Sequence, residues 1–212
     1  MCKDWEAYAD AWLRSVGPSL NLSKASNDDD PYLVTSTLQA TANGGGCPNV
    51  QHLSVRGCSG ITPTALAAVA RGCSALSHLD LAHSDVDDEA LLAFTRAGGA
   101  RRLIELDVTG CAKLTAASLT VAAAECIQLT TLIATQCAAA NPVVLADLVM
   151  SATDLEEVRV DLSTVGRGDM TKVAAATGGK HTVDVCSFEE SDESSPTMCR
   201  LVLADEVNGA CM

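Results

Sequence analysis

The fold is decided by one stretch, residues 47–62, which reads CPNVQHLSVRGCSGIT. Its pattern of apolar and small residues returns about every 26 residues along the chain. One position is held by a leucine or valine at steps of 26, 27, 26 and 26, namely Leu53, Leu79, Leu106, Leu132 and Val158. A fixed period of this size is typical of a solenoid, in which a unit has no core until its neighbours stack on it. The repeat therefore favours a chain that displays a surface over an enzyme.

Each unit predicts a strand, a turn and a helix. Apolar and polar residues alternate through residues 50–55, which is the period of a strand with one buried face. Thr62-Pro63 and Asn141-Pro142 each supply a helix N-cap and a proline at the first helical position. Gly72 and Gly98-Gly99 are expected at helix ends. Because a helix returns the chain between strands, consecutive strands are expected to run parallel.

The ends of the chain are less regular. Residues 5–16 have the spacing of an amphipathic helix, and residues 20–22 resemble one more strand. Residues 183–185 and 199–203 read as two further strands, with an acidic, serine-rich loop at residues 189–195 between them. We therefore expect an N-terminal cap with an irregular first repeat in residues 1–45, the array of repeats in 46–188, and an acidic loop with a capping strand in 189–212.

Six of the ten cysteines occupy two repeated positions. One repeat position holds Cys47, Cys73 and Cys126, and another holds Cys58, Cys111 and Cys137. Equivalent positions stack about 5 Å apart, and alanine or serine replaces cysteine in other repeats, so these sites call for a small buried side chain. We expect Cys58, Cys111 and Cys137 to be buried, reduced and not metal-bound. Reduced thiols imply a reducing compartment, with the cytoplasm as the default.

Residues 47–62 and 106–115 match the pattern Cys-x-x-Leu-x-x-Leu-x-Leu-x-x-Cys-x-x-Leu/Ile-Thr. This pattern resembles the cysteine-containing subtype of leucine-rich repeats, and the resemblance covers about residues 47–165. The subtype is typical of F-box leucine-rich-repeat proteins, the substrate receptors of ubiquitin ligases, and of related scaffolds. The resemblance implies an α/β horseshoe arc with parallel strands on the concave face and helices on the convex face. Residues 1–45 lack the Leu-Pro-x-Glu start of an F-box.

Charge and motifs argue against several classes of function. The net charge of −13 makes nucleic-acid binding improbable and fits a partner with a basic segment. No signal peptide and no apolar run of about 18 residues is visible, so we expect no membrane insertion. No catalytic motif, phosphate-binding loop or Cys-x-x-Cys pair occurs, so we expect no enzyme activity, no cofactor and no metal.

The polar positions of the strands form three predicted columns. Their candidate partner-binding residues are His52, Arg56, His78, Asp80, Glu105, Asp107, Glu157, Arg159, Asp161 and Asp184. We expect these positions to be exposed and to form either a plain solvated strand face or a groove for a Lys/Arg-rich segment. His52, His78, His83 and Asp80 are expected to be close together, but they follow no metal-ligand motif.

Three functions are compatible with the sequence. The first, which the repeat array favours, is a non-enzymatic protein–protein interaction scaffold, as a structural or accessory subunit of a larger assembly. The second, implied by the resemblance alone, is a substrate-recognition or regulatory component of a ubiquitin ligase. The third is an enzyme with an unrecognised site. Co-purification with the ligase adaptor would favour the second over the first.

Overall fold

The structure, a computed structural model, describes residues 17–23, 38, 46–151, 154–161, 167–176, 181–186 and 198–203. It contains eight strands in this part of the chain: β1 (Ser19–Asn21), β2 (His52–Ser54), β3 (His78–Asp80), β4 (Glu105–Asp107), β5 (Thr131–Ile133), β6 (Glu157–Asp161), β7 (His181–Cys186) and β8 (Met198–Leu203). Its five α-helices are α1 (Pro63–Gly72), α2 (Asp88–Arg96), α3 (Ala116–Glu125), α4 (Pro142–Ser151) and α5 (Arg167–Ala176). A 3₁₀ turn, Ala100–Arg102, precedes β4.

Strands β1 to β6 form a parallel sheet in chain order. The register sets Leu53 beside Leu79, Leu79 beside Leu106, and so on to Val158, as the 26-residue period predicts. All five residues of this column are 1–2% exposed and belong to one apolar cluster. The repeat alignment and the α/β class are therefore confirmed, with a short strand β1 added at the N-terminal edge as expected.

The helices begin where the cap residues predict. The side-chain oxygen of Thr62 accepts a hydrogen bond from the Ala65 amide at 3.2 Å, and Asn141 Oδ1 accepts from the Val144 amide at 3.1 Å. Asp87 caps α2 through the Ala90 amide at 2.9 Å. Among the described residues, no helix has the length and apolar composition needed to cross a membrane.

The core is built from thin layers of leucine, valine, alanine and cysteine. The six described cysteines of the repeats, at positions 47, 58, 73, 111, 126 and 137, are free thiols and buried. Burial of Cys58, Cys111 and Cys137 is thus confirmed. The thiol of Cys111 donates to the Leu81 carbonyl oxygen at 3.1 Å, so this buried sulfur is bonded to the preceding repeat.

One turn position after each strand requires a left-handed backbone. The residue that precedes the inward-turning cysteine or serine has φ of 71° at Gly57, 56° at His83, 65° at Gly110 and 53° at Gln136. Glycine adopts this conformation freely, whereas a side chain makes it unfavourable. Two of the four repeats therefore carry strain at the same point of the turn.

The C-terminal end departs from the predicted order. Strand β8 pairs antiparallel with β6 on one side and with β7 on the other, so the sheet order is β1-β2-β3-β4-β5-β6-β8-β7. Strands β1 to β6 are the parallel run, and the expectation that consecutive strands run parallel does not hold beyond β6. An antiparallel strand needs no crossover helix and can enter an open edge beside β6. Residues 5–16 and 189–195, for which we predicted a capping helix and an acidic loop, lie outside the described residues.

Candidate functional site

The sheet has one face on which polar side chains stand between the buried leucine positions. We call it the polar face and define it by the residues on either side of the leucine column in β1 to β6. In-register pairing places Ser19, His52, His78, Glu105, Thr131 and Glu157 side by side. Pairing also places Asn21, Ser54, Asp80, Asp107, Ile133 and Arg159 side by side. The short repeat thus assembles a continuous surface from residues that are far apart in sequence.

A cavity of about 450 Å³ lies at the β1–β4 end of this face, and we call it the end cavity. Its polar lining comes from Ser19, Asn21, His52, Ser54, His78, Asp80 and Glu105. The small side chains of β1 lie next to the larger imidazoles of β2 and β3, which leaves room above β1. Four of our ten candidate residues therefore line one depression.

The imidazole rings of His52 and His78 stack on each other at this cavity. Their centroids are 4.1 Å apart and their planes differ by 26°. Ser77 Oγ lies 2.8 Å from Nδ1 of His78 and fixes that ring. Burial, followed by the proximity of His52, lowers the pKa of His78 below its ordinary value, although Glu105 opposes the shift. His78 is consequently neutral at pH 7.

Asp80 and Asp107 have a structural role that the sequence analysis did not predict. Asp80 Oδ1 accepts from the Ala82 amide at 3.0 Å, and Asp107 Oδ1 accepts from the Thr109 amide at 2.8 Å. Each aspartate therefore closes an Asx turn at the end of its strand. Their side chains are 32% and 14% exposed. Our expectation that both positions are freely exposed needs correction, because the turns hold the carboxylates against the backbone.

Arg56 lies across these two aspartates. Its guanidinium is 3.8 Å from Asp80 Oδ2 and 3.9 Å from Asp107 Oδ2, and Ser54 Oγ donates to Asp80 at 2.8 Å. One cation thus faces two carboxylates on neighbouring strands. The side chain of Glu105, the register partner of His78 on β4, makes no hydrogen bond or ion pair with the described residues, and its charge acts on His78.

The remaining candidate residues lie away from the end cavity. Arg159 and Glu157 form an ion pair with each other on β6. Asp161 is only 2% exposed and accepts a hydrogen bond from the Gln136 amide, so it holds the preceding turn. Asp184 of β7 is separated from β6 by β8 and has Arg200 as its register partner. The predicted carboxylate column therefore ends at β6.

A buried pair of thiols was not predicted as a site. Cys47 and Cys73, each 1% exposed, occupy the same repeat position in neighbouring units. A hydrogen bond between them lowers the pKa of Cys47, with burial opposing that shift, and raises the pKa of Cys73, with burial adding to it. Their shared position in the period is the sequence signal that could have paired them.

Metal-binding clusters and sequence comparisons give no lead on the function of the part of the chain that the structure describes. The described residues contain no group of three or more histidine, cysteine, aspartate or glutamate side chains that could hold a metal ion. No protein-family model matches this sequence, and no curated protein is significantly similar to it. The case for function therefore rests on the geometry of the polar face.

Proposed function

We propose that this chain is a leucine-rich-repeat solenoid that acts as a non-enzymatic interaction scaffold, as a subunit of a larger protein assembly. The helices form the convex side of an arc, and the polar face is its concave side. A partner protein contacts that face through an extended, basic segment. The buried free thiols favour a reducing compartment, with the cytoplasm as the site of action.

The observation that supports this proposal is the in-register stacking of polar residues along six parallel strands. At about 4.8 Å per strand the face extends roughly 24 Å, which an extended segment of about eight residues covers. Half-buried side chains of mixed polarity, such as Thr131 and Ile133 on β5, give this surface both hydrogen-bonding and apolar contacts.

Charge indicates the kind of segment. The polar face carries more carboxylates than guanidinium groups, and the whole chain carries a net charge of −13. Complementary charge accelerates encounter and selects among partners more than it adds affinity. Asp80, Asp107 and Asp161 accept hydrogen bonds from backbone amides in the turns. Glu105 is therefore the carboxylate most available to pair with a cation of the partner.

Site-specific photo-crosslinking tests the proposal. A photoreactive amino acid replaces Thr131 on the polar face, and the control carries it at Glu89, an exposed residue in the acidic first turn of α2. The probe is a lysine- and arginine-rich peptide of about eight residues, the length that spans the face, at physiological salt. We expect several-fold more crosslinked peptide at position 131 than at position 89. Equal yields, or none at position 131, would show that the polar face does not bind basic segments.

A further inference from the structure

We propose that the end cavity is a recognition site for one arginine side chain of the partner protein. The proposal rests on the scaffold function above and specifies which side chain of the partner protein the scaffold recognises. It goes beyond general attraction of a basic segment, since it assigns the contact to His52, His78 and Glu105 at the β1–β4 end of the face.

The shape of the site favours a planar cation. The end cavity, at about 450 Å³, admits a full arginine side chain, and the two imidazoles on its wall lie nearly parallel at 4.1 Å. Guanidinium is flat, weakly hydrated and stacks on aromatic faces, whereas the ammonium of lysine is a compact, strongly hydrated charge. A stacked imidazole wall therefore discriminates arginine from lysine.

The charge of the site also favours a cation. Asp80 and Glu105 line the cavity, and Asp107 and the guanidinium of Arg56 lie next to Asp80. Three negative groups and one positive group give these four side chains a net charge of −2. Arg56 lies close to the two aspartates, which leaves Glu105 as the carboxylate available to a guest guanidinium.

The His78 imidazole makes this binding depend on pH. Its register partners are His52 on β2 and Glu105 on β4, and Asp80 lies on its own strand with Arg56 beside it. Protonating His78 adds one positive charge and reduces the local charge of −2 to −1. Because a cationic guest and a protonated imidazole repel each other, affinity falls as the pH falls and His78 becomes protonated.

NMR of the imidazole C–H signals tests the proposal directly, since the chain has only four histidines. The probes are three peptides of equal length in which glycine alternates with arginine, lysine or citrulline. We expect the arginine peptide to shift the signals of His52 and His78 and to bind about threefold or more tightly than the lysine peptide. The citrulline peptide should leave these signals unchanged. The signals of His83, which does not line the cavity, serve as an internal reference.

Two variants and a control complete the design. Glu105→Gln should weaken the arginine peptide about threefold, whereas Glu89→Gln, which makes the same change of charge on α2, should have no effect. His78→Gln should remove most of the loss of affinity between about pH 7.5 and pH 5.5.

The outcomes separate the two proposals. Equal binding of the lysine and arginine peptides, or full binding by Glu105→Gln, overturns the arginine site. If a basic peptide crosslinks at position 131 but leaves the His52 and His78 signals unmoved, the arginine site is wrong and the scaffold function stands. If no basic peptide binds at all, both proposals fail.

Discussion

The buried cysteines Cys111 and Cys126 differ in the hydrogen-bond partners that surround their thiols. Cys111 has a carbonyl partner on the preceding repeat, and its pKa is raised to about 11 by burial, with the hydrogen bond between Ser84 and Cys111 opposing the shift. Cys126 is 1% exposed, and its thiol has no hydrogen-bond partner among the described residues. Burial, assisted by the charge of Glu125, raises the pKa of Cys126 to about 12. The two sites are equally buried but differ in polarity.

Serine substitution should therefore distinguish the two sites. Cys126→Ser puts a hydroxyl into an apolar layer and should cost roughly 1–3 kcal/mol of unfolding free energy. Cys111→Ser should cost less than about 1 kcal/mol, because the new hydroxyl can donate to the Leu81 carbonyl. Urea denaturation midpoints measure both values. A larger loss of unfolding free energy at position 111 than at position 126 would contradict the conclusion that the site of Cys111 is the more polar of the two.

At the same scale, the sequence predicted the strand-face positions but not the roles of their side chains. The period located Asp80 and Asp107 on one column, and the register confirms it. An aspartate at a strand end can, however, either project into solvent or turn back to the amide two residues on. Side-chain rotation decides between these, and the period carries no information about it. Replacing Asp80 and Asp107 with lysine would remove the hydrogen bonds to the turn amides as well as the negative charges. Such a variant would therefore change turn stability together with binding.

At the scale of the element, the turns after β2, β3, β4 and β5 each have one residue in the left-handed conformation, at the same position of the repeat. A residue with a side chain is destabilised by about 1–2 kcal/mol in this conformation, and glycine avoids that cost. Glycine gives back about 0.5–1 kcal/mol of the advantage, because it loses more conformational freedom when the chain folds. The exposed residue Gln136 is one of the strained positions. We expect Gln136→Gly to raise the unfolding free energy by about 0.5–1 kcal/mol, as measured by thermal denaturation.

The glycines of the same turn position provide the reverse experiment. A Cβ atom on Gly57 would meet open space, so Gly57→Ala pays for the backbone conformation alone. A Cβ atom on Gly110 would collide with the imidazole ring of His83. Gly110→Ala should therefore destabilise the protein more than Gly57→Ala. Equal losses would mean that the His83 ring moves aside without cost.

The elements themselves were largely predictable, and their order at one end was not. The cap residues located the starts of α1 and α4, and the leucine period located β2 to β6. The apolar residues around positions 183 and 201 also predicted β7 and β8. Periodicity states which residues form a strand, but it does not state which edge a strand outside the repeat will join. The place of β8 between β6 and β7 therefore had to come from the structure.

At the scale of the whole molecule, charge is unbalanced, with 27 acidic against 14 basic residues. The ion pairs among the described residues involve mostly part-exposed side chains, such as Arg101 with Glu125 and Lys113 with Asp85, and such pairs stabilise little. Repulsion between like charges should therefore outweigh attraction at low salt.

Added salt should consequently stabilise the fold. Raising sodium chloride from about 0.01 M to about 0.15 M shortens the screening length from about 30 Å to about 8 Å. We expect this to recover about 1 kcal/mol, which raises the melting temperature by about 2–4 °C for a chain of this size. The control is the same pair of scans near the isoelectric point of about 4.5, where the net charge vanishes and the effect should shrink. A melting temperature that falls with salt at neutral pH would show that ion pairs dominate.

The position of β8 has a consequence for the time at which the sheet is completed. In the described sheet, β7 is hydrogen-bonded only to β8, although β7 is made first during synthesis. Until residues 198–203 leave the ribosome, β7 lacks the neighbour to which it will finally be bonded, and the far edge of β6 stands open. We therefore expect β7 and β8 to join the sheet together, as a late step of folding that follows the synthesis of residues 198–203.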